Sequence, residues 1–247
     1  MAIARDSSSP AGVQIVGDGA GGGTGTSAAF TPPAAAIITV CATINSNVGA
    51  TPTPTISNTG GGLSSWTVVV SRINASGGAV WIWRATVLTS VSTTITVNEA
   101  ALGSTQNFWH SEFYVDVWTG ADPSQTGAQT TSGTSSTQSN AIKFATYRNG
   151  SQIIGIAMEW NAVGTASSSD CSYDAYLATG GSDGLRMYKS APTSPPIMET
   201  CSFTVSATGA LWTYAFYELL APLTYDPPSP ASVKSLRRGI GAANSGR

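Results

Sequence analysis

Eight short segments rich in Val, Ile, Thr and aromatic residues recur along the chain: IITVCATI, WTVVVSRI, AVWIWRATV, STTITV, FWHSEFYVDVW, SQIIGIAMEW, ETCSFTVSA and LWTYAFYELL. Each is bounded by Gly, Pro, Asn or Ser clusters, the punctuation of strands separated by turns. In FYVDVW, Phe113, Val115 and Val117 fall on one face of an extended strand and Tyr114, Asp116 and Trp118 on the other, which predicts a strand buried mainly on one side. Trp81 and Trp83 share a face opposite Val80, Ile82 and Arg84. No segment longer than about ten residues keeps a helical period; the best helical turn is Asn98 to Leu102, with Asn98 as its cap. The pattern predicts an all-β protein built as a two-sheet antiparallel β-sandwich, either jelly-roll-like or immunoglobulin-like.

Three regions follow from the same pattern. Residues 1–29 read as an N-terminal arm with a Gly-rich hinge, GDGAGGGTGTS, residues 30–220 as the sandwich body, and residues 221–247 as a Pro-rich, then basic C-terminal tail. Within the body, VDVWTGADPSQTGAQTTSGTSSTQSN starts as a strand. Thr-Gly-Ala-Asp-Pro ends that strand, because Pro123 cannot donate to a ladder and Gly120 accepts a positive φ. The hydroxyl-rich remainder, up to Asn140, reads as an outward loop.

Composition narrows the function classes. Charged residues make up 10% of the 247, against roughly 25% in an ordinary domain. A net charge of −2 gives no basis for a nucleic-acid partner. The body from Thr31 to Tyr225 holds ten acids and six bases, whereas the tail carries Lys234, Arg237, Arg238 and Arg247. No apolar run is long enough to insert in a membrane, and the N-terminus lacks a signal-peptide core, so a soluble chain not exported by the general signal-peptide route is expected. Cys41 lies in an apolar run as a small buried hydrophobe; Cys171 and Cys201 are either free thiols or a bridge.

Most chemical motifs are incomplete. Gly17, Gly19 and Gly22 match a dinucleotide fingerprint, but FTPP follows where a helix is needed, so no cofactor is expected. His110 is the single histidine and sits in a strand-like segment, leaving no triad and no zinc ligand set. Glu112 and Asp116, with Glu159, are the only acids placed like a glycosidase pair. Four residues along a strand nevertheless span roughly 13 Å, beyond either standard geometry. Asp170 and Asp174 lack a calcium-loop pattern, and no metal is expected. Asn74 and Asn149 begin glycosylation-like triplets that matter only after export. Seven tryptophans serve as core or as stacking surfaces for glycans and subunits.

FTPPAAAIITVCATINS, SSWTVVV, AVWIWRATV, VDVWTGADPSQTGA, GSQIIGIAMEWNAVGT and LWTYAFYELL, in that order, resemble a family of β-sandwich proteins of tailed bacteriophages and prophages, especially actinobacterial ones. The resemblance spans Phe30 to Leu220. It implies a non-enzymatic virion structural protein, a minor tail or tail-tip component, with other virion chains and copies of itself as partners. The alternatives are a capsid decoration protein and a carbohydrate-binding adhesin facing host cell-wall glycan. Trp118, Thr119, Asp122 and Tyr114 are the candidate glycan or interface contacts. Lys234, Arg237 and Arg238 are the candidate partner-binding tail residues.

Overall fold

The structure is a computed structural model that describes residues 2–15, 23–45, 53–74, 78–99, 111–161, 164–177, 183–190 and 198–223. These residues form seventeen strands, and no helix occurs among them. The first half contributes β1 (Ala4–Arg5), β2 (Val13–Ile15), β3 (Gly23–Thr26), β4 (Ile37–Asn45), β5 (Thr55–Asn58), β6 (Thr67–Ile73), β7 (Gly78–Thr86), β8 (Ile95–Glu99) and β9 (Ser111–Thr119). The second contributes β10 (Thr130–Ser135), β11 (Ser139–Ala145), β12 (Gln152–Glu159), β13 (Ala166–Ser167), β14 (Ser172–Leu177), β15 (Asp183–Ser190), β16 (Met198–Val205) and β17 (Trp212–Leu219). All strand pairs are antiparallel, and every sheet is built within one half.

The pairing identifies the fold. β2 pairs with β9, β3 with β8 and β4 with β7, so the pairs nest like one long hairpin. The additional pairs β4 with β9 and β5 with β8 roll that hairpin into two sheets, which is a jelly roll. Adding eight to each strand number reproduces the second half: β10 with β17, β11 with β16, β12 with β15, then β12 with β17 and β13 with β16. The hairpin β6–β7 recurs as β14–β15. The body is therefore two jelly rolls of one topology in tandem. Each has an inner sheet, β9-β4-β7-β6 or β10-β17-β12-β15-β14, and an outer sheet, β3-β8-β5 or β11-β16-β13.

Three apolar layers stack these four sheets. Ile38, Val40, Ala42, Trp81, Trp83, Phe113 and Val115 pack against Ile95 and Val97 of the first outer sheet. Ile37, Cys41, Val80, Ile82, Tyr114 and Trp118 meet Ile154, Ile156, Met158, Ala215 and Tyr217 where the inner sheets face each other. Leu185, Met187, Trp212 and Phe216 pack against Phe144, Phe203 and Val205 of the second outer sheet. Full burial of one such side chain contributes about 1.5–3 kcal/mol. The alternation in β9 and β7 holds residue by residue, but the expectation of one-sided burial does not. Ser111 to Trp118 is buried on both faces, because a second jelly roll covers what would have been the solvent side.

Other boundaries also differ. The segment before Phe30 does not form an arm: β1 and β2 extend the first inner sheet along β9, and β3 pairs with β8 in the outer one. The hinge glycines Gly17, Gly19 and Gly22 lie outside the described residues. Asn98 is in strand β8 rather than capping a helix; the rest of that turn lies outside the described residues, as does His110. The expected polar loop contains all of β10, which pairs with β17 from Thr130↔Tyr217 to Ser135↔Trp212, and the start of β11. As an edge strand β10 needs a partner ladder more than apolar side chains, so its sequence TTSGTS carries no hydrophobic signal.

Candidate functional site

The two inner sheets meet along a seam that is closed on one flank and open on the other. β6 and β7 pack directly against β10 and β17. On the opposite flank, clefts of about 410 and 370 Å³ separate β1, β2 and β9 from β14 and β15, with Arg5 lining both. β9 is extended, so Glu112, Tyr114, Asp116 and Trp118 all point into this flank. β15 sends Gly184, Arg186 and Tyr188 toward them by the same period.

Arg186 is the centre of the arrangement. Its Nη1 donates to Asp116 Oδ1 and Oδ2 at 2.8 and 2.9 Å, and its Nη2 pairs with Asp174. The guanidinium lies 5.6 Å from the ring centre of Tyr114 and 4.9 Å from that of Tyr188. Arg5 Nε donates to Asp116 Oδ1 as well. Arg186 and Asp116 are only 1% and 0% exposed, so each supplies the charge that makes burial of the other tolerable. Glu112 is buried beside them, and a Cβ on residue 184 would collide with its Oε1; only glycine admits the carboxylate there. Burial pushes the nearby Cys41 thiol up, and the charge on Asp116 pushes it further.

The closed flank carries a counterpart. Arg84 of β7 reaches Tyr217 of β17, with Nη1 3.5 Å from the hydroxyl, as Arg186 of β15 reaches Asp116 of β9. Equivalent strands of the two jelly rolls thus each send an arginine across the seam to equivalent strands.

Tyr114 and Trp118 are interface residues, but the interface is internal. Trp118 is 1% exposed; its Nε1 donates to Thr39 Oγ1 at 2.9 Å and its ring sits edge-on to Tyr188 at 5.7 Å. Both ring faces are enclosed, which removes Trp118 as a glycan-stacking platform. The other described tryptophans are buried or half-buried in the cores, and Trp109 lies outside the described residues. Thr119 is half-buried, with its Oγ1 3.4 Å from Ala4 O.

Asp122 works in the junction between the jelly rolls. Its N–H donates to Leu220 O at 2.8 Å, its Oδ1 accepts from Ser124 N–H at 2.9 Å, and its Oδ2 pairs with Arg148. That pairing, aided by Ser124, holds its carboxyl below the usual range despite partial desolvation. Gln125 Oε1 accepts from the Tyr217 hydroxyl at 2.7 Å and from Leu220 N–H at 2.9 Å. TGADPSQ is thus a folded strap tying the end of β9 to the end of β17. Gly120 takes the expected positive φ, 76°, where a Cβ would come within 2.5 Å of Ala2 O.

Of the three acids weighed as a glycosidase set, Glu112 and Asp116 share the open flank, while Glu159 is engaged elsewhere. Asp116 is committed to two arginines, and Glu159 belongs to the other jelly roll, where its Oε1 accepts backbone N–H bonds from Asn161 and Leu211, both at 2.9 Å. Asp170 and Asp174 also part, the first to Ser202 and the second to Arg186. No cluster of acids, histidines and cysteines suited to a metal occurs among the described residues. Lys234, Arg237 and Arg238 lie outside the described residues. Arg186 and Tyr188 were not singled out from the sequence. The available signal was an arginine set between Leu185 and Met187, which implies a buried acidic partner without naming it. Comparison with protein-family models, with curated proteins and with solved structures returns no match.

Proposed function

We propose that the chain is a non-enzymatic structural component of a tailed-phage virion, a minor tail or tail-tip protein that assembles with other virion chains and with copies of itself. The observation that carries this reading is the seam. The acids and aromatics that would have offered chemistry or glycan stacking are turned inward, joining two jelly rolls into one body. The outer sheets instead present hydroxyl pairs across strands, Thr26 with Thr96 and Ser139 with Thr204, each at 2.9 Å. Such hydroxyl pairs offer hydrogen bonds to neighbours and suit repeated packing, with Lys143 as a charge on the second face. The jelly roll serves in viral capsid and lectin domains; because fold is a weak guide to function, the resemblance of the strand and turn segments to phage tail proteins adds what topology lacks.

The test is to band particles of the encoding phage or induced prophage, quantify the chain by mass spectrometry and locate it with gold-labelled antibody. Stoichiometric label on the tail is expected. Label over the head would replace the tail reading with capsid decoration, and absence from particles would overturn both.

A further inference from the structure

In the second jelly roll Cys171 stands at the turn into β14, on the inner sheet, and Cys201 lies in β16 of the outer sheet. The turn is fastened to the residue after Cys201. Ser202 N–H donates to Asp170 Oδ1 at 2.8 Å, Ser202 Oγ donates to Asp170 Oδ2 at 3.1 Å, and Ser168 Oγ donates to Ser202 O at 2.6 Å. Cys171 N–H in turn donates to Ser168 Oγ at 3.1 Å. This network seats the turn of Cys171 against the strand that carries Cys201, with Cys171 Sγ 3.5 Å from Asp170 Oδ1, and both cysteines are free.

We propose that Cys171 and Cys201 form an oxidisable dithiol, a covalent modification site at which a low-molecular-weight disulfide introduces a bond joining the two sheets of the second jelly roll. Cys171 is the half-buried, reachable partner, whereas Cys201 is fully buried. Donation from the Cys201 thiol holds the Cys171 thiol below its ordinary value, and the same contact with burial pushes Cys201 up. Attack therefore begins at Cys171. Its thiolate displaces one thiolate from the reagent disulfide and forms a mixed disulfide. Cys201, losing its proton to solvent, then attacks the Cys171 sulfur, forming the internal bond and expelling the second reagent thiolate. Two protein thiols are oxidised by two electrons in total, and one reagent disulfide is reduced to two thiols. Cys41, enclosed in the seam, has no second cysteine among its core neighbours and stays reduced.

The full-length chain, folded and treated with oxidised glutathione, tests this directly. Thiol titration after denaturation should fall from three per chain to one, with the intact mass lower by two hydrogens. A Cys171–Cys201 linked peptide should appear without reductant, and the unfolding midpoint should rise by about 5 °C, reversibly on adding reductant. In Cys201→Ser the reaction should stop at the mixed disulfide, adding one glutathione to Cys171. Three thiols persisting after oxidation, a bond involving Cys41, or only intermolecular bonds would each overturn the proposal, and these readings on the wild-type chain need no variant to fold.

Discussion

Arg186 and Asp116, seventy residues apart in the chain, form an ion pair inside the seam between the two jelly rolls, with Arg186 Nη1 2.8 and 2.9 Å from the two carboxylate oxygens. Both are essentially without solvent. Such a pair costs desolvation, and its net contribution is small compared with the penalty for breaking it.

Asp116→Ala should therefore lose about 3–5 kcal/mol by leaving a buried guanidinium short of its main partner. The double variant Asp116→Leu with Arg186→Met should recover most of that loss, because apolar groups of similar volume restore packing without a charge. Denaturant midpoints at neutral pH measure both. Equal losses in the single and double variants would contradict the assignment of the pair as mutually compensating.

Gly184→Ala should lose about 2 kcal/mol by overpacking, since the new methyl falls on the Glu112 carboxylate. Adding Glu112→Ala should restore at least half of that loss by clearing the space. If the second substitution only deepens the loss, the collision is not what makes residue 184 a glycine.

Glu99 gives a pH dependence. Burial pushes its carboxyl up from the ordinary 4.5 to about 8, against a hydrogen bond from Ser111 that lowers it. Below the ordinary value both folded and unfolded chains hold the proton, and nothing is lost. Between the two values the unfolded chain releases it while the folded chain keeps it, so stability falls as pH rises and the loss is complete above the folded value. The total is at most about 5 kcal/mol. Glu99→Gln should flatten this part of the profile, measured as the difference in denaturation midpoint between the two proteins from acid to mildly alkaline pH. Parallel profiles would refute it.

Among the described residues no strand ladder crosses the seam, and the halves are joined in sequence at the Gly120 strap. Fragments 1–120 and 121–247 expressed together should therefore associate one to one through the apolar faces of Ile37, Val80, Ile82, Ile154, Ile156 and Tyr217. Size exclusion with mass measurement reads the complex. Arg186→Ala in the second fragment should weaken it at least tenfold, and fragments that remain separate would show that the covalent strap is required.

Period-two alternation is a local property, and it places the main inner strands, the opposite faces of Trp81 and Val80, the split of Phe113 from Tyr114, and the turn at Gly120. These depend on backbone geometry and residue type within a few positions. β10, β1 and β2 were hidden because short edge strands with hydroxyl or mixed side chains gain their order from the ladder of a distant partner. Long-range pairing makes the body two jelly rolls rather than one sandwich: β9 carries the same alternation whether its second face meets water or another sheet. It also decided the roles of Asp116 and Trp118. The meaning of a buried charge or ring is set by its partners, here Arg186 and Thr39, which long-range pairing brings together and which no local spacing encodes.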